Sequence, residues 1–146
     1  MSERALRQLQ RARELLRTVV GGTWSPPSLH LSMAYDAAES ALRAILYARG
    51  VTWRGERRLD LIASEKKELL GEAWVRLEPW LDDYAWLWSW KKEVRRKRFD
   101  ELPKIDRAEA REMVDRATEC VRRIVEIAET VVRIPDTFNG PVSYRS

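Results

Sequence analysis

The chain has 146 residues, 45% hydrophobic and 34% charged. That balance fits one globular domain and excludes a membrane-embedded protein or a long disordered tail. Its 27 Lys and Arg outweigh 23 Asp and Glu by four charges, and the run Lys91-Lys92-Glu93-Val94-Arg95-Arg96-Lys97-Arg98 alone carries six bases and one acid. The remainder is nearly neutral, so the basic balance is one local patch and not a general affinity for nucleic acid.

The single cysteine, Cys120, excludes an intramolecular disulfide framework and a four-cysteine zinc site, and suits a reducing cytoplasm. No stretch approaches the roughly 18 apolar residues of a membrane span. Glu3, Arg4 and Arg7 lead straight into an amphipathic pattern without the apolar middle of a secretory signal. A cytoplasmic protein is expected.

Leu6, Leu9, Leu16 and Val20 recur at helical spacing, predicting a first helix from a Ser2 cap to a stop at Gly21-Gly22. The prolines of Thr23-Trp24-Ser25-Pro26-Pro27 make a connection. Ser28 is the expected cap of a second helix bearing Met33, Ala34, Ala37, Ala38, Ala41, Leu42, Ile45 and Leu46 and ending at Arg49, with Gly50 in the left-handed conformation. Its small inward side chains let neighbours approach closely, which predicts a central position. A third helix follows through Leu59, Ile62, Leu69, Leu70, Ala73, Trp74 and Leu77, with a restart capped by Ser64. Pro79 marks a break, and Leu81, Tyr84, Ala85, Leu87 and Trp88 carry a fourth helix into the basic run, closed by Pro103. Asp106 caps a long last helix whose stripe runs from Ala110 to Val131 before Pro135, about 40 Å in all. With no alternating strand pattern, the expected fold is all-α, an up-and-down bundle of about five helices over residues 1–135 with a tail at 136–146.

One histidine, His30, is too few for a two-histidine metal site, and a Ser-His-Asp triad would have to be built on it alone. Placed in the first turn after Ser28, it reads as a partly exposed or capping residue. Cys120 reads as a buried thiol acting as a small hydrophobe. Asp36 and Glu39 sit three apart and can share a helix face, as many carboxylate pairs do by chance. Asp36 interrupts the alanine-rich helix and there calls for an arginine partner. No metal or cofactor is expected.

The least ordinary composition lies between Trp80 and Arg98. On a helix Trp80, Tyr84 and Trp88 share one face, and Trp86 and Trp90 form a second line nearly opposite. Both faces cannot enter one core. Three arrangements satisfy this: an interface with a second subunit or partner through Trp86, Trp88 and Trp90, packing by a bent or neighbouring helix, or bases stacked on exposed rings. The basic run, expected to spread charge around the helix, either complements the helix C-terminus or contacts phosphates.

Taken in order, these features resemble the HEPN domains (higher eukaryotes and prokaryotes nucleotide-binding). The likeness lies in the alanine-rich helix Ser32–Leu46 ending in Gly50-Val51, the arginine-bearing segment Arg95 to Phe99, and the long helix from Ala108 to Ile127, and spans residues 4 to 132. Ribonuclease members of that family carry an arginine followed after four to six residues by a histidine. Here Trp24, Ser25 and Pro26 stand at those positions before His30, and no histidine follows Arg95, Arg96 or Arg98. The resemblance therefore implies a non-catalytic member: a homodimer that binds a nucleotide or RNA, or pairs with a minimal nucleotidyltransferase in a toxin–antitoxin-like module. Arg95, Arg96 and Arg98 are the expected phosphate contacts, and Lys91 and Lys92 supply long-range attraction. Tyr35 and Asp36 are the residues a divergent ribonuclease would use with an arginine in place of histidine, and a plain RNA-binding module is a further alternative.

Overall fold

A computed structural model describes residues 2–21, 27–97 and 104–132. Arg98, the stops at Pro103 and Pro135, and the tail 136–146 lie outside the described residues. Within them the elements are α1 (Glu3–Gly21), α2 (Pro27–Ala48), three short helices α3 (Leu59–Glu65), α4 (Lys67–Leu70) and α5 (Glu72–Leu77), a 3-10 turn (Glu78–Trp80), α6 (Leu81–Arg96) and α7 (Arg107–Val131). The fold is an all-α bundle with a long final helix, as the sequence predicts.

α2 is the hub. α1, α6 and α7 all pack on it, and Ala34, Ala37, Ala38, Ala41 and Ala44 are fully buried along its length. A methyl group is the largest side chain that several neighbouring backbones can crowd at once, which is why this row is alanine. α1 meets it through Ala5, Leu9, Ala12 and Val19, and α7 through a stripe that becomes buried at Ala117 and continues to Ala128. The start of α7, from Arg107 to Arg116, has no buried residue.

The helix ends follow local chemistry. Ser2 Oγ accepts from the Ala5 amide at 3.2 Å, and Asp106 Oδ1 accepts from the Glu109 amide at 2.9 Å, so both predicted caps form. At the end of α2, the Gly50 amide donates to the Tyr47 carbonyl at 3.0 Å and the Val51 amide to the Leu46 carbonyl at 2.9 Å, with Gly50 at φ +76°. This is a Schellman turn, completed by buried Val51 against buried Leu46.

Two expected caps do not form. α2 begins at Pro27, whose fixed φ suits a first helical position, so Ser28 lies inside the first turn and is buried. Ser64 is an exposed residue within α3, and the third helix breaks at Lys66 and Gly71 instead. Gly71, at φ +57° and ψ −125°, adopts a backbone that a residue with a side chain rarely takes, and the helix restarts after it.

Candidate functional site

α2 presents a polar line on an otherwise apolar helix. Tyr35, Glu39 and Arg43 are four residues apart and so lie on one face, one per turn. The Schellman turn then reverses the chain, and the connection from Val51 brings Trp53, Gly55, Glu56, Arg57 and Arg58 alongside that line. The C-terminal half of α6 closes the opposite wall with Trp88, Lys91, Lys92, Arg95 and Arg96. Together these residues line a cleft of about 600 Å³.

A hydrogen-bonded chain forms its floor. Fully buried Tyr84 has its hydroxyl 3.1 Å from that of Tyr35, and the Tyr35 hydroxyl donates to Glu39 Oε2 at 3.2 Å. Tyr35 has a single proton and spends it on the carboxylate, so Tyr84 is the donor between the two rings. Arg43 pairs with the same Glu39 oxygen at 3.5 Å. Burial pushes both tyrosines above the usual phenol range, so their hydroxyls stay protonated and work as fixed donors.

The rim is held by Arg58, which donates to both oxygens of buried Asp60 at 3.1 and 2.6 Å. The bidentate contact raises Arg58 above its ordinary value. The same guanidinium lies 4.9 Å from the Trp88 ring centroid, and Lys92 Nζ lies 5.0 Å from it.

Seven of the lining residues are cationic and two are acidic, but most of the cations are already engaged. Lys91 pairs with Asp36 at 3.1 Å, Arg57 with Glu65 at 2.7 Å, Arg43 with Glu39, and Arg58 with Asp60. Arg95 and Arg96 are exposed and form no ion pair among the described residues.

The predicted residues therefore separate. Tyr35, Lys91, Lys92, Arg95 and Arg96 come together in the cleft. Asp36 does not line the cleft and is half-buried, and its partner is Lys91 and not an arginine, because α6 crosses α2 at that turn with Lys91, one turn before its own arginines Arg95 and Arg96. Nor does the basic run spread around its helix. Residues 91, 92, 95 and 96 occupy one arc on the cleft side, α6 stops at Arg96, and Lys97 folds back on Glu93 at 2.7 Å.

The tryptophans of this segment pack against the core from its flanks. Leu81, Tyr84 and Leu87 take the core-facing positions of α6, and Trp80, Trp86, Trp88 and Trp90 are partly buried on its shoulders. Arg116 lies 3.9 Å over Trp86, and Arg123 lies 5.9 Å from Trp80. Sequence reasoning passed over Arg43, Trp53, Arg57 and Arg58, and left Glu39 as a solvated carboxylate. The four-residue spacing of Tyr35, Glu39 and Arg43 was the available signal.

His30 is buried at 3% exposure and not a surface residue, because the helix already begins at Pro27 and turns it inward. Burial lowers its pKa. It lines a different groove, with Val19, Val20, Ile105 and Val114, so the cleft contains no imidazole. Cys120 is buried as expected, its thiol pushed up to about 12 by burial and then by the Asp83 charge. Among the described residues no three His, Cys, Asp or Glu side chains gather to hold a metal, and no helix is long and apolar enough to cross a membrane.

The HEPN domain model matches residues 1–131. The chain belongs to the HEPN family. No curated protein and no solved structure matches it. Membership makes this a helical domain of a nucleotide- and RNA-related family, and in this HEPN domain the cleft between α2 and α6 is lined by seven cationic side chains.

Proposed function

We propose that this HEPN domain is a non-catalytic interaction protein that holds a phosphate-bearing ligand, a nucleotide or RNA, in the α2–α6 cleft. The observation that carries the reading is the contrast within the cleft. Arg43, Arg57, Arg58 and Lys91 are paired with Glu39, Glu65, Asp60 and Asp36, whereas Arg95 and Arg96, like Lys92 over Trp88, stand at the wall without an ion pair among the described residues. A guanidinium fork that is not spent internally is suited to bidentate phosphate contact. The absence of an imidazole from the lining supports binding over cleavage by the family's arginine–histidine chemistry.

The experiment is a titration of end-labelled single-stranded RNA at two salt concentrations, with the wild type and with Arg95→Ala/Arg96→Ala. Affinity falls as salt rises, and the double substitution makes the log–log slope shallower by about 0.7 for each phosphate contact removed. Affinity that ignores salt, or a slope the substitutions leave intact, overturns the reading.

The protein acts as a homodimer in this proposal. Trp86 and Trp90 and the partly buried Ala110, Met113 and Val114 at the start of α7 supply the apolar surface, and Trp88 is placed in the cleft. A sedimenting species of 17.1 kDa at micromolar concentration refutes the dimer.

A further inference from the structure

Two indoles line the cleft, Trp53 and Trp88. They are not equivalent. Trp88 already has Arg58 and Lys92 within about 5 Å of its ring centre, so its π system is occupied by cations of the protein itself. Trp53 lies parallel to Tyr47, ring centroids 5.2 Å apart and planes 5° from coplanar. Tyr47 is in turn held by Arg4, whose guanidinium sits 4.3 Å from the ring centroid and donates to the phenol oxygen at 3.2 Å. Tyr47 covers one face of Trp53 and does not line the cleft, whereas Trp53 does. The indole thus borders the cavity while Tyr47, itself held by Arg4, supports it from behind.

Its backbone is well anchored. The Schellman turn pins Val51 two residues before it, and the Arg58–Asp60 fork fixes the other end of the connection. A flat ring held rigidly at the edge of a basic cleft loses little freedom when a second flat ring lies on it.

We propose that Trp53 is a stacking platform for a nucleobase, so that the cleft takes a nucleotide whose base is unpaired, with its phosphate at Arg95 and Arg96. This rests on the phosphate reading above and adds to it that the ligand is recognised at two ends. A cavity of about 600 Å³ lies within the range of ordinary small-ligand sites, roughly 300–1,000 Å³. Because every base has a π face, the platform tolerates different bases and discriminates against ligands that have none.

The test compares AMP with ribose 5-phosphate, which has the same phosphate and sugar without the base, by calorimetry on the wild type, Trp53→Leu and Trp53→Phe. Wild type binds AMP more tightly than ribose 5-phosphate by about five- to hundredfold, the range of base–aromatic stacking. Trp53→Leu loses that advantage and keeps its ribose 5-phosphate affinity, and Trp53→Phe retains most of it. Equal wild-type affinity for the two ligands overturns the platform and leaves the phosphate reading standing. Loss of ribose 5-phosphate binding in Trp53→Leu makes the indole structural and also overturns it. If neither ligand binds the wild type at low salt, the platform is overturned, and the RNA titration decides the phosphate reading separately.

Discussion

Replacing Arg58 by alanine tests how the cleft is held open. Its guanidinium makes two hydrogen bonds to Asp60, a carboxylate whose side chain is only 9% exposed, while Arg58 itself is 31% exposed. Removing one partner of a buried ion pair costs about 3–5 kcal/mol, because the other charge is left desolvated. Water reaches Asp60 through the space Arg58 vacates, which reduces the loss to about 2–3 kcal/mol. Loss of the guanidinium over Trp88 adds about 0.5–1 kcal/mol. The expected total is near 3 kcal/mol, and with a urea slope of about 2 kcal/mol per molar the unfolding midpoint drops by about 1.5 M. Arg58→Lys keeps the charge and gives up the planar fork, so its loss is about 1 kcal/mol. Arg58→Met combined with Asp60→Leu removes both charges and recovers most of the stability. A midpoint for Arg58→Ala within about 0.3 M of the wild type would show that the fork contributes nothing and that the connection is anchored elsewhere.

Two other outcomes follow from the core. Ala41→Leu forces three extra carbons into a fully buried position on α2, so the thermal midpoint falls by an amount equivalent to about 1–3 kcal/mol; an unchanged midpoint would mean that the alanine row is not tightly packed. Burial raises the folded-state pKa of Tyr35 and Tyr84 above the phenol value of the unfolded chain. Their contribution is complete below about pH 10 and is lost at higher pH, as the unfolded chain releases protons that the folded chain retains, by about 1.4 kcal/mol per pH unit for each ring. Urea midpoints measured on either side of about pH 10 should fall for the wild type and fall less steeply for Tyr84→Phe, and equal slopes would contradict the assignment.

The sequence alone determined the elements whose information is local. A Ser or Asp before an apolar period caps a helix with its own side-chain oxygen, as Ser2 and Asp106 do, and a glycine two residues past the last helical turn can take positive φ, as Gly50 does. The alanine row announced a central helix because small side chains at helical spacing permit close approach wherever the neighbours come from. Cys120 was legible as a buried thiol for the same reason, since it lies on the apolar stripe of its own helix.

Only the tertiary structure decided what depends on which helix crosses which. Lys91 and Asp36 are 55 residues apart, and nothing local says that α6 passes over that turn of α2 and supplies a lysine where an arginine was expected. The charge of the basic run became one-sided only because α6 ends at Arg96 and lies along the cleft. Trp53 acquired its support from Tyr47 and Arg4, contributed by the ends of two other helices. Periodicity reports the face a residue occupies on its own element, whereas pairing and enclosure belong to the contacts between elements, which the packing of the whole bundle selects.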